Sequence, residues 1–371
     1  MRKPLFVIAC FAMFLLSGCQ YGKDCAYSGY RPIEREISLV FGGTLFLASN
    51  SGFIYAVDAD TGVEKWKFAL TFAKDSYYQP RITGVAIYNG LLWFVEAEGM
   101  IRGLNIDTGV VVREFDTGFG SIQAHPAVAN GMFYYHDSKS VYAFDLVTES
   151  LRWEYSVEWG NFAKNISTMS YANGIIYVNG GENNSLYALD AITGNEKWRY
   201  AGETEVPSKF TVTNGLVYLW DNFLFIFDAY TGVEKDRYEA MQGLTSSPVI
   251  HNGIAYYGAE RWTDDSWGHD YAIDTNTGKE KWNINKGECT GGAYAVSAYG
   301  DMAYFTYYDL FALDAYTGRH KWKFDVMETR AYGEIESRAV VVDDTAYFAT
   351  AKDFLFAINA VTGKEKWRFK M

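Results

Sequence analysis

Short apolar runs alternate with polar positions along most of this chain, and turn residues separate the runs. The unit that begins near Ser170 reads SYANGIIYVNGGENNSLYALDAITGNEKWRY, in which Asn-Gly, Gly-Glu-Asn-Asn and Thr-Gly separate runs rich in Tyr, Val and Ile. Alternation over about four to eight residues, bounded by Gly and Asn, predicts β-strands and hairpin turns, not a helix with its period of about 3.6 residues. Each unit fits four strands, which we name A, B, C and D in chain order.

One phrase returns at the end of each unit, eight times in all. Its template is close to Tyr-Ala-x-Asp-Ala-x-Thr-Gly-x-x-Lys-Trp-x-Phe. The acid or amide at its fourth place, which we call the anchor, is Asp58, Asn105, Asp145, Asp190, Asp228, Asp274, Asp314 or Asn359. Successive anchors are 38 to 47 residues apart. A repeat of this length, built from short strands, is typical of a β-propeller. We therefore predict an all-β fold, an eight-bladed β-propeller of four-stranded antiparallel blades.

Six blades carry a tryptophan eight residues after the anchor, on predicted strand D. These docking tryptophans are Trp66, Trp153, Trp198, Trp282, Trp322 and Trp367. One large ring at the same place in each blade would fill the wedge between neighbouring blades. Blade 2 has Arg113 there and blade 5 has Asp236, so we expect the seams of these two blades to be the weakest. Blade 3 has Glu149 in place of the turn glycine.

The N-terminal residues have the pattern of a secretory signal. Arg2 and Lys3 precede an apolar run, and Leu-Ser-Gly-Cys19 follows it at once. The run is too short for a permanent membrane span of about 20 residues. We predict a lipoprotein signal peptide at 1–18, a lipidated tether at 19–36 that begins with Cys19, and the propeller at 37–371. An ordinary cleaved signal with an incidental cysteine is the alternative. Leu-Ser-Gly-Cys resembles the lipobox of bacterial lipoproteins, and in that class a residue other than Asp after the cysteine, here Gln20, usually accompanies transport to the outer membrane. We therefore predict an outer-membrane location, on the periplasmic side in preference to the cell surface.

Charge and cysteine usage narrow the classes of partner. The net charge is −12, or −14 once Arg2 and Lys3 leave with the signal, which disfavours nucleic acid and leaves the lipid as the only membrane contact. Cys25 and Cys289 could pair in an oxidising periplasm. Two remaining cysteines and five scattered histidines predict no metal site, and the acids from Asp264 onward do not match a calcium loop.

Strand parity predicts which face of the propeller binds partners. Antiparallel order puts the A–B and C–D turns, all tight, on one face, and the B–C turns with the D–A connections on the other. The long variable segments belong to the second face, and binding residues concentrate on such loops. The candidate binding residues there are Tyr77, Tyr78, Trp159, Trp262, Asp264, Asp265, Trp267, Arg330 and Tyr332. The insertion at 260–270 in blade 6 is the strongest candidate. Alternatively, these side chains only cover the loops and plug the channel mouth.

The phrase Ala-x-Asp-x-x-Thr-Gly-x-x-x-Trp resembles the PQQ-like repeat, also called the tryptophan-docking motif, over nearly the whole mature chain. Together with length, lipid box and blade count, it makes the chain similar to the BamB-type lipoproteins of outer-membrane β-barrel assembly. The resemblance implies a non-catalytic scaffold that binds proteins. That family's Leu-Arg loop has no counterpart here, and 243–248 matches its other binding segment only without the acids, so no binding residue is transferred. BamB-type chains borrow an N-terminal strand for the last blade, whereas we predict blades built from consecutive sequence.

Two other classes remain open. PQQ-dependent dehydrogenases resemble this chain in repeat and blade count, but they are longer and add adjacent cysteines, a calcium-binding acid set and a tryptophan floor. A glycan- or peptide-binding surface receptor would suit the same aromatic and acidic loops. The histidines His125, His136, His251 and His320 lie in or beside strands or turns and are predicted to be structural. We predict a monomer that is not an enzyme and holds no cofactor.

Overall fold

The computed structural model describes residues 39–49, 52–71, 82, 84–96, 99–118, 126–158, 163–182, 184–202, 209–221, 223–239, 243–263, 266–285, 293–326, 332–335 and 337–371. These residues form 32 strands in eight four-stranded sheets. The all-β prediction, an eight-bladed propeller of antiparallel blades, is confirmed. In the described ranges, no helix is long and apolar enough to cross a membrane. The predicted signal, Cys19, the tether, Cys25 and Cys289 lie outside these ranges.

Blades 1 to 4 contain the first sixteen strands. They are β1 Leu39–Phe41, β2 Thr44–Ala48, β3 Phe53–Asp58 and β4 Glu64–Ala69; β5 Ala86–Tyr88, β6 Leu91–Val95, β7 Met100–Asn105 and β8 Val111–Asp116; β9 Ala127–Ala129, β10 Met132–His136, β11 Ser140–Asp145 and β12 Ser150–Ser156; and β13 Ala163–Ala172, β14 Ile175–Glu182, β15 Ser185–Asp190 and β16 Glu196–Tyr200.

Blades 5 to 8 contain the other sixteen strands. They are β17 Lys209–Thr213, β18 Leu216–Trp220, β19 Phe223–Asp228 and β20 Glu234–Glu239; β21 Val249–His251, β22 Ile254–Thr263, β23 Ser266–Asp274 and β24 Glu280–Asn285; β25 Ala295–Tyr299, β26 Met302–Thr306, β27 Leu310–Asp314 and β28 His320–Phe324; and β29 Val340–Val342, β30 Thr345–Ala349, β31 Phe354–Asn359 and β32 Glu365–Lys370.

Every sheet is built from four strands that follow one another in the chain, and strand D is always at one edge. The prediction of consecutive blades is therefore confirmed for the described strands, including blade 8 with β29 to β32. The chain divides into two compact units. One comprises residues 44–58 and 64–240, and the other comprises residues 1–43, 59–63 and 241–371. In each unit the buried apolar side chains lie between adjacent blades, as between blades 3 and 4 or blades 6 and 7.

The docking tryptophans join each of six blades to a C–D turn outside their own sheet. Each indole Nε1 donates to a backbone carbonyl at 2.9 to 3.1 Å. The acceptor is the residue that follows an anchor, such as Ala191 for Trp153 and Ala59 for Trp367. The indole also covers the turn glycine, because a Cβ on Gly194 would lie 2.7 Å from Trp153 Cδ2. The repeated Thr-Gly therefore forms the turn and also provides the surface on which the indole packs.

A tyrosine on strand B supplies a second donor that the sequence analysis missed. In blade 3 the hydroxyl of Tyr134 donates to Ala191 O at 3.0 Å, the carbonyl that also accepts from Trp153. The same two-donor arrangement recurs in blades 4, 6, 7 and 8. Its tyrosines there are Tyr177, Tyr256, Tyr304 and Tyr347. Each tyrosine is paired in register with the motif alanine of strand C, as Tyr134 is with Ala143.

Blade 2 lacks the docking tryptophan but not an aromatic wedge. Trp93 takes the strand B position of the missing tyrosine, and its partner on strand C is Gly103 instead of alanine. A Cβ at Gly103 would lie 3.0 Å from the indole, so glycine makes room for the larger ring. Trp93 packs against Phe115 and Phe133 at the blade 2 seam. We expected the blade 2 seam to be weak because Arg113 replaces the docking tryptophan, but Trp93 supplies a large aromatic ring there.

Arg113 and Glu149 replace the tryptophan and glycine with an ion pair. Arg113 Nη1 lies 2.9 Å from Glu149 Oε1, joining strand D of blade 2 to the C–D turn of blade 3. Both side chains are about half exposed, so the pair is worth at most about 1 kcal/mol. In blade 5, Ile226 replaces the motif alanine opposite Asp236, whose carboxylate accepts from Tyr238. The expected weakness of the blade 5 seam stays a prediction.

The anchors hold the C–D turns by accepting backbone hydrogen bonds. Asp190 Oδ1 accepts from the N–H groups of Ile192 and Thr193 and from the Thr193 hydroxyl. Asn359 accepts the same set in blade 8, so the turn needs an acceptor oxygen more than a charge. Where the anchor is an acid, the bonds lower its pKa. The backbone N–H and hydroxyl of Thr231, with Lys235, lower the pKa of Asp228 to about 2.

Candidate functional site

Each blade has two different ends. The tight A–B and C–D turns form the turn end, and the B–C turns with the D–A connections form the loop end. Among the described residues, the longest B–C hairpin at the loop end is that of blade 6, formed by β22 and β23. Here the sequence analysis was wrong in detail. The segment 260–270 was expected to be a loop, but Glu260 pairs with Gly268 and Thr263 with Ser266. Only 264–265 at the tip lie outside the described residues.

The far part of the blade 6 hairpin extends past both flanking strands. β21 pairs with β22 only up to Tyr256, and β24 pairs with β23 only from His269 onward. An isolated bridge from Leu244 reaches Ala259. Beyond that bridge, the described residues 260–263 and 266–268 pair with each other alone. Among the described residues, no third strand pairs with either edge of this part of the ribbon, and an unpaired edge is the usual requirement for adding a strand from a partner.

The base of the hairpin is fixed by backbone and hydroxyl contacts around Gly258. Its N–H donates to Ser246 Oγ at 2.9 Å, and its carbonyl accepts from Thr245 N at 2.9 Å. The Thr245 hydroxyl in turn donates to Ala293 O at 2.9 Å. A Cβ at Gly258 would lie 2.5 Å from Ala293 N, so this close approach requires glycine. These contacts tie the hairpin to the segments that enter blades 6 and 7.

Asp270, directly opposite Gly258 in the hairpin, completes this lock. It is fully buried and accepts from Ala293 N at 2.9 Å through Oδ1 and from the Tyr307 hydroxyl through Oδ2. Burial, and then the negative charge of Asp270, raise the pKa of Tyr307 well above its ordinary value. The phenol therefore stays protonated and keeps donating. A carboxylate bonded to two donors holds the loop end of blade 6 against the B–C turn of blade 7.

Tyr332 lies on blade 8 and not on the hairpin. Its ring packs edge-on against Phe354 and Phe356 at 4.9 and 5.3 Å between centroids, and the guanidinium of Arg368 lies 4.7 Å above it. Arg368 also donates to Glu365. Tyr332 is half-buried, so part of its ring is accessible to solvent. A tyrosine held by a cation and two aromatic rings is a rigid contact of the kind found at protein interfaces.

The structure brings some of the predicted binding residues together and leaves others unplaced. Trp262 and Trp267 lie on adjacent strands near the tip of the blade 6 hairpin. The remaining candidates Tyr77, Tyr78, Trp159, Asp264, Asp265 and Arg330 lie outside the described residues. The sequence analysis missed Thr245, Ser246 and Tyr307. Thr245 and Ser246 lie in the 243–248 segment, which resembles only a family motif in sequence, and Tyr307 is one tyrosine among many with no pattern of its own.

The buried acids of the described chain are bonded to protein donors. Glu96 pairs with Arg102 and accepts from Thr71 N. Asp309 pairs with Lys323 and accepts from Val326 N, and Asp270 is bonded as described above. Among the described residues, no group of three or more His, Cys, Asp and Glu side chains is arranged to hold a metal ion. The absence of a metal site stays a prediction.

The pKa values of the anchor aspartates and of the seam tyrosines are shifted further from neutral pH. Hydrogen bonds from the backbone lower the pKa of the anchors Asp145 and Asp190. Burial raises the pKa of the seam tyrosines Tyr134, Tyr177 and Tyr304. A general acid or base works best with a pKa near the working pH. These shifts instead keep each group in one protonation state, as structural bonding requires.

A family comparison decides where the chain belongs. A family model described as outer membrane protein assembly factor BamB matches residues 31–170, 140–306 and 308–371. The chain belongs to this family. A crystal structure of BamB from Moraxella catarrhalis superimposes with a TM-score of 0.61, at 15% identity, over 90% of this chain and 95% of that one. The computationally designed Ika8 protein gives a TM-score of 0.68, at 13% identity, over 92% and 98%. At such identities these likenesses show the fold alone.

A curated relative belongs to a different functional class. The quinoprotein alcohol dehydrogenase PedH of Pseudomonas putida is 31% identical over 100 residues. The match covers 25% of this chain and 17% of PedH. It is therefore a likeness of about two repeat units, judged by the 38 to 47 residues between anchors. The repeat is shared by assembly factors and dehydrogenases, so the function has to be argued from this chain's own surface.

Proposed function

We propose that this chain is a non-catalytic scaffold of the BamB type, which binds protein partners at the loop end of its blades. The observation that carries the proposal is the blade 6 hairpin. It extends past its flanking strands, it is locked at its base by Asp270 and Ser246, and it carries Trp262 and Trp267 near its tip. A rigid base beneath an open ribbon lowers the ordering cost of binding, and tryptophans are common energetic centres of protein interfaces.

The cellular place follows from the N-terminal sequence. We propose that Cys19 carries the lipid, that residues 19–36 are a tether, and that the propeller faces the periplasm from the outer membrane. A part in the assembly of outer-membrane β-barrels is supported by the family match across residues 31–371. A glycan- or peptide-binding receptor would use the same surface, and it is distinguished by what is captured there.

A dehydrogenase of this repeat class would need to bind a quinone and a calcium ion. The calcium ion would be held by carboxylates that are not already bonded to other groups. Calcium needs about six to eight oxygen ligands, most of them open to the ion. The fully buried carboxylate here, Asp270, has its two oxygens bonded to Ala293 and Tyr307. Glu96 and Asp309 are engaged by Arg102 and Lys323. The buried acids among the described residues therefore do not fit that group. Absorbance of bound quinone after incubation with quinone and calcium would support the alternative.

The direct test is a cross-linked pull-down of the full lipidated chain from its own membrane. We expect the wild type to recover subunits that assemble outer-membrane barrels, and Trp262→Ala with Trp267→Ala to lose them. Recovery of the same proteins by the double variant would remove the hairpin as the contact. Recovery of glycans or unrelated peptides alone would favour the receptor.

A matched control separates a lost contact from a loosened hairpin. Val361→Ala changes an exposed side chain at the turn end of blade 8 and should leave recovery unchanged. Asp270→Asn keeps the shape of the buried side chain but weakens the bond from Tyr307, so it should reduce recovery less than the tryptophan variant does. Thermal unfolding of each variant, followed by circular dichroism, shows whether the fold survives.

A further inference from the structure

Strand D at the edge of each sheet normally begins with charged residues, and blade 2 departs from this rule. The two residues before the docking position read Glu-Lys in blades 1, 4, 5, 6 and 8, His-Lys in blade 7 and Leu-Arg in blade 3. In blade 2 they are Val111 and Val112. Blade 2 is thus the one blade of eight in which both positions are apolar. Lysine on an edge strand is a common means of preventing a second chain from pairing with it.

The basic side chain has a defined place in the other blades. Each blade has a β-bulge here, and the bulged residue carries the positive charge, as Lys197 does in blade 4. Lys197 Nζ reaches Asp190 at 3.4 Å, and Lys235 reaches Asp228 at 3.2 Å. In blade 2 the bulged residue is Val112 and the anchor is the uncharged Asn105. Both members of the pair are therefore changed together, so the bulged position of β8 carries no charge.

Three consecutive valines at the start of this edge are exposed. Val110, Val111 and Val112 are 39 to 62% exposed, and we call these three residues the blade 2 edge. In blade 3, Val147 and Leu151 are also exposed. The ion pair between Arg113 and Glu149 joins these two parts of the surface. Consecutive exposed apolar side chains such as Val110 to Val112 mark an interaction site more often than scattered single ones do.

The charges around the blade 2 edge select the kind of partner. Arg113 and Glu114 are already paired, with Glu149 and Arg102 respectively. The acids that flank the edge are Asp107 before it and Asp116 at the end of β8, and both are exposed. Val110 to Asp116 spans about 20 Å of extended chain. An apolar centre between two acids complements an extended segment with apolar side chains and basic residues on either side.

We propose that the blade 2 edge is a second protein-binding site, where β8 pairs with an extended, apolar segment of a partner flanked by lysine or arginine. No described strand pairs with the outer edge of β8. Main-chain hydrogen bonds along that edge would supply affinity, and the valines with the two acids would supply selectivity. A second copy of this chain is a poor occupant, because two chains of net charge −12 repel each other. The site lies on a different blade from the blade 6 hairpin and does not depend on it.

The test uses three synthetic peptides and the full chain. One peptide has alternating Val and Thr flanked by Lys, the second has the same centre flanked by Glu, and the third has Lys flanks with Pro in the centre. Fluorescence anisotropy should show binding of the first peptide, at least tenfold weaker binding of the second, and loss of the third, because proline cannot donate to the edge. Equal binding of the first and third peptides would overturn strand pairing.

The variant Val111→Glu with Val112→Lys gives blade 2 the sequence of its sister blades, so it should fold. We expect it to bind the first peptide at least tenfold more weakly than the wild type. Val233→Lys, which alters an exposed valine of blade 5, should stay within about twofold of the wild type. Equal affinity of the double variant and the wild type would overturn the proposal. A dimer of the wild type, seen by light scattering and absent from the double variant, would also overturn the proposal. Loss of peptide binding leaves the hairpin pull-down unaffected, so the two proposals fail separately.

Discussion

The carbonyl oxygen of Ala191 accepts two side-chain hydrogen bonds at a seam between blades. Trp153 donates to it at 3.1 Å and Tyr134 at 3.0 Å, one from strand D and one from strand B. The adjacent Gly194 leaves space for the indole that donates. The repeated phrase therefore specifies one half of a contact in each blade and the other half in its neighbour. Substitution of one such residue should therefore destabilise the seam between the two blades as well as its own turn.

Gly194→Ala should destabilise the protein more than Gly174→Ala does. Both glycines have positive φ, and alanine in that conformation costs about 1–2 kcal/mol. A Cβ at Gly194 would also meet Trp153 at 2.7 Å, whereas one at Gly174 meets no atom within 4 Å. Overpacking of this kind adds about 1–3 kcal/mol. Urea unfolding of the two variants measures the difference directly. Equal losses would show that Trp153 does not depend on the space above Gly194.

Asp190→Asn should cost little at neutral pH, whereas Asp190→Ala should cost about 1–2 kcal/mol. Asparagine keeps the acceptor oxygen, as Asn105 and Asn359 do in their own blades. The pKa of Asp190 is lowered by the backbone N–H of Thr193, so its charged form adds stability above the ordinary value of 3.8 and loses it as the pH falls. The stability difference between wild type and the Asn variant should therefore narrow below pH 3.8. Urea titrations of both proteins at pH 7 and at pH 3 measure their difference in unfolding free energy. An equal difference at the two pH values would contradict this prediction.

The anchors, turn glycines and docking tryptophans could be found from sequence because each recurs at a fixed spacing. The tyrosines of strand B could not. Each of these hydroxyls donates to a carbonyl more than 50 residues away in the chain, as Tyr177 does to Ala229. One tyrosine among many on an apolar strand shows nothing in its sequence that indicates this hydrogen bond. Trp93 was missed for the same reason. Its role becomes visible only beside Gly103, its partner on the neighbouring strand.

At the scale of the element, blade 2 shows how a sheet can lose its docking residue and keep its seam. Trp93→Ala should cost about 3–5 kcal/mol, as expected for a buried aromatic side chain. Trp153→Ala in blade 3 serves as the reference, because that blade has the ordinary arrangement. If the seam of blade 2 were weak, Trp93→Ala would cost far less than Trp153→Ala. Equilibrium unfolding of both variants, with the slope on denaturant checked for two-state behaviour, gives the comparison.

The blade 6 hairpin is the element that sequence patterns predicted least well. Residues 260–270 contain several acids, a glycine and a serine, which are typical of a loop, yet most of them pair across the hairpin. The pairing is favoured by the lock at its base, where Asp270 and Gly258 face each other. That lock uses residues from three separate segments, around 245, 270 and 293. No local pattern of residues could have indicated such a contact.

At the scale of the whole molecule, ionisation should define a plateau of stability. The lowered pKa values of Asp145, Asp190 and Asp228 mean that their stabilisation is complete above about pH 4 and is lost in acid. Burial raises the pKa of Tyr142 to about 12. The stability that such tyrosines contribute is complete below their ordinary value of 10.0 and is lost as the pH rises beyond it.

Thermal midpoints measured from pH 3 to pH 12 should therefore be flat in the middle and fall at both ends. Absorbance at the phenolate band should show that the buried tyrosines ionise together with unfolding at high pH. Tyr177→Phe removes one donor at Ala229 and should lower the midpoint at neutral pH. Smooth ionisation of all tyrosines near pH 10, without loss of structure, would contradict the account of the seams.

The central claim is that the blade 6 hairpin binds a protein partner. A photoreactive amino acid placed at Trp262 in the full lipidated chain, and activated in living cells, tests it most directly. The same amino acid at Val361, exposed at the turn end of blade 8, is the control. We expect a cross-linked adduct with an outer-membrane assembly protein at position 262 and none at position 361. Adducts of equal yield at both positions, or none at position 262, would contradict it.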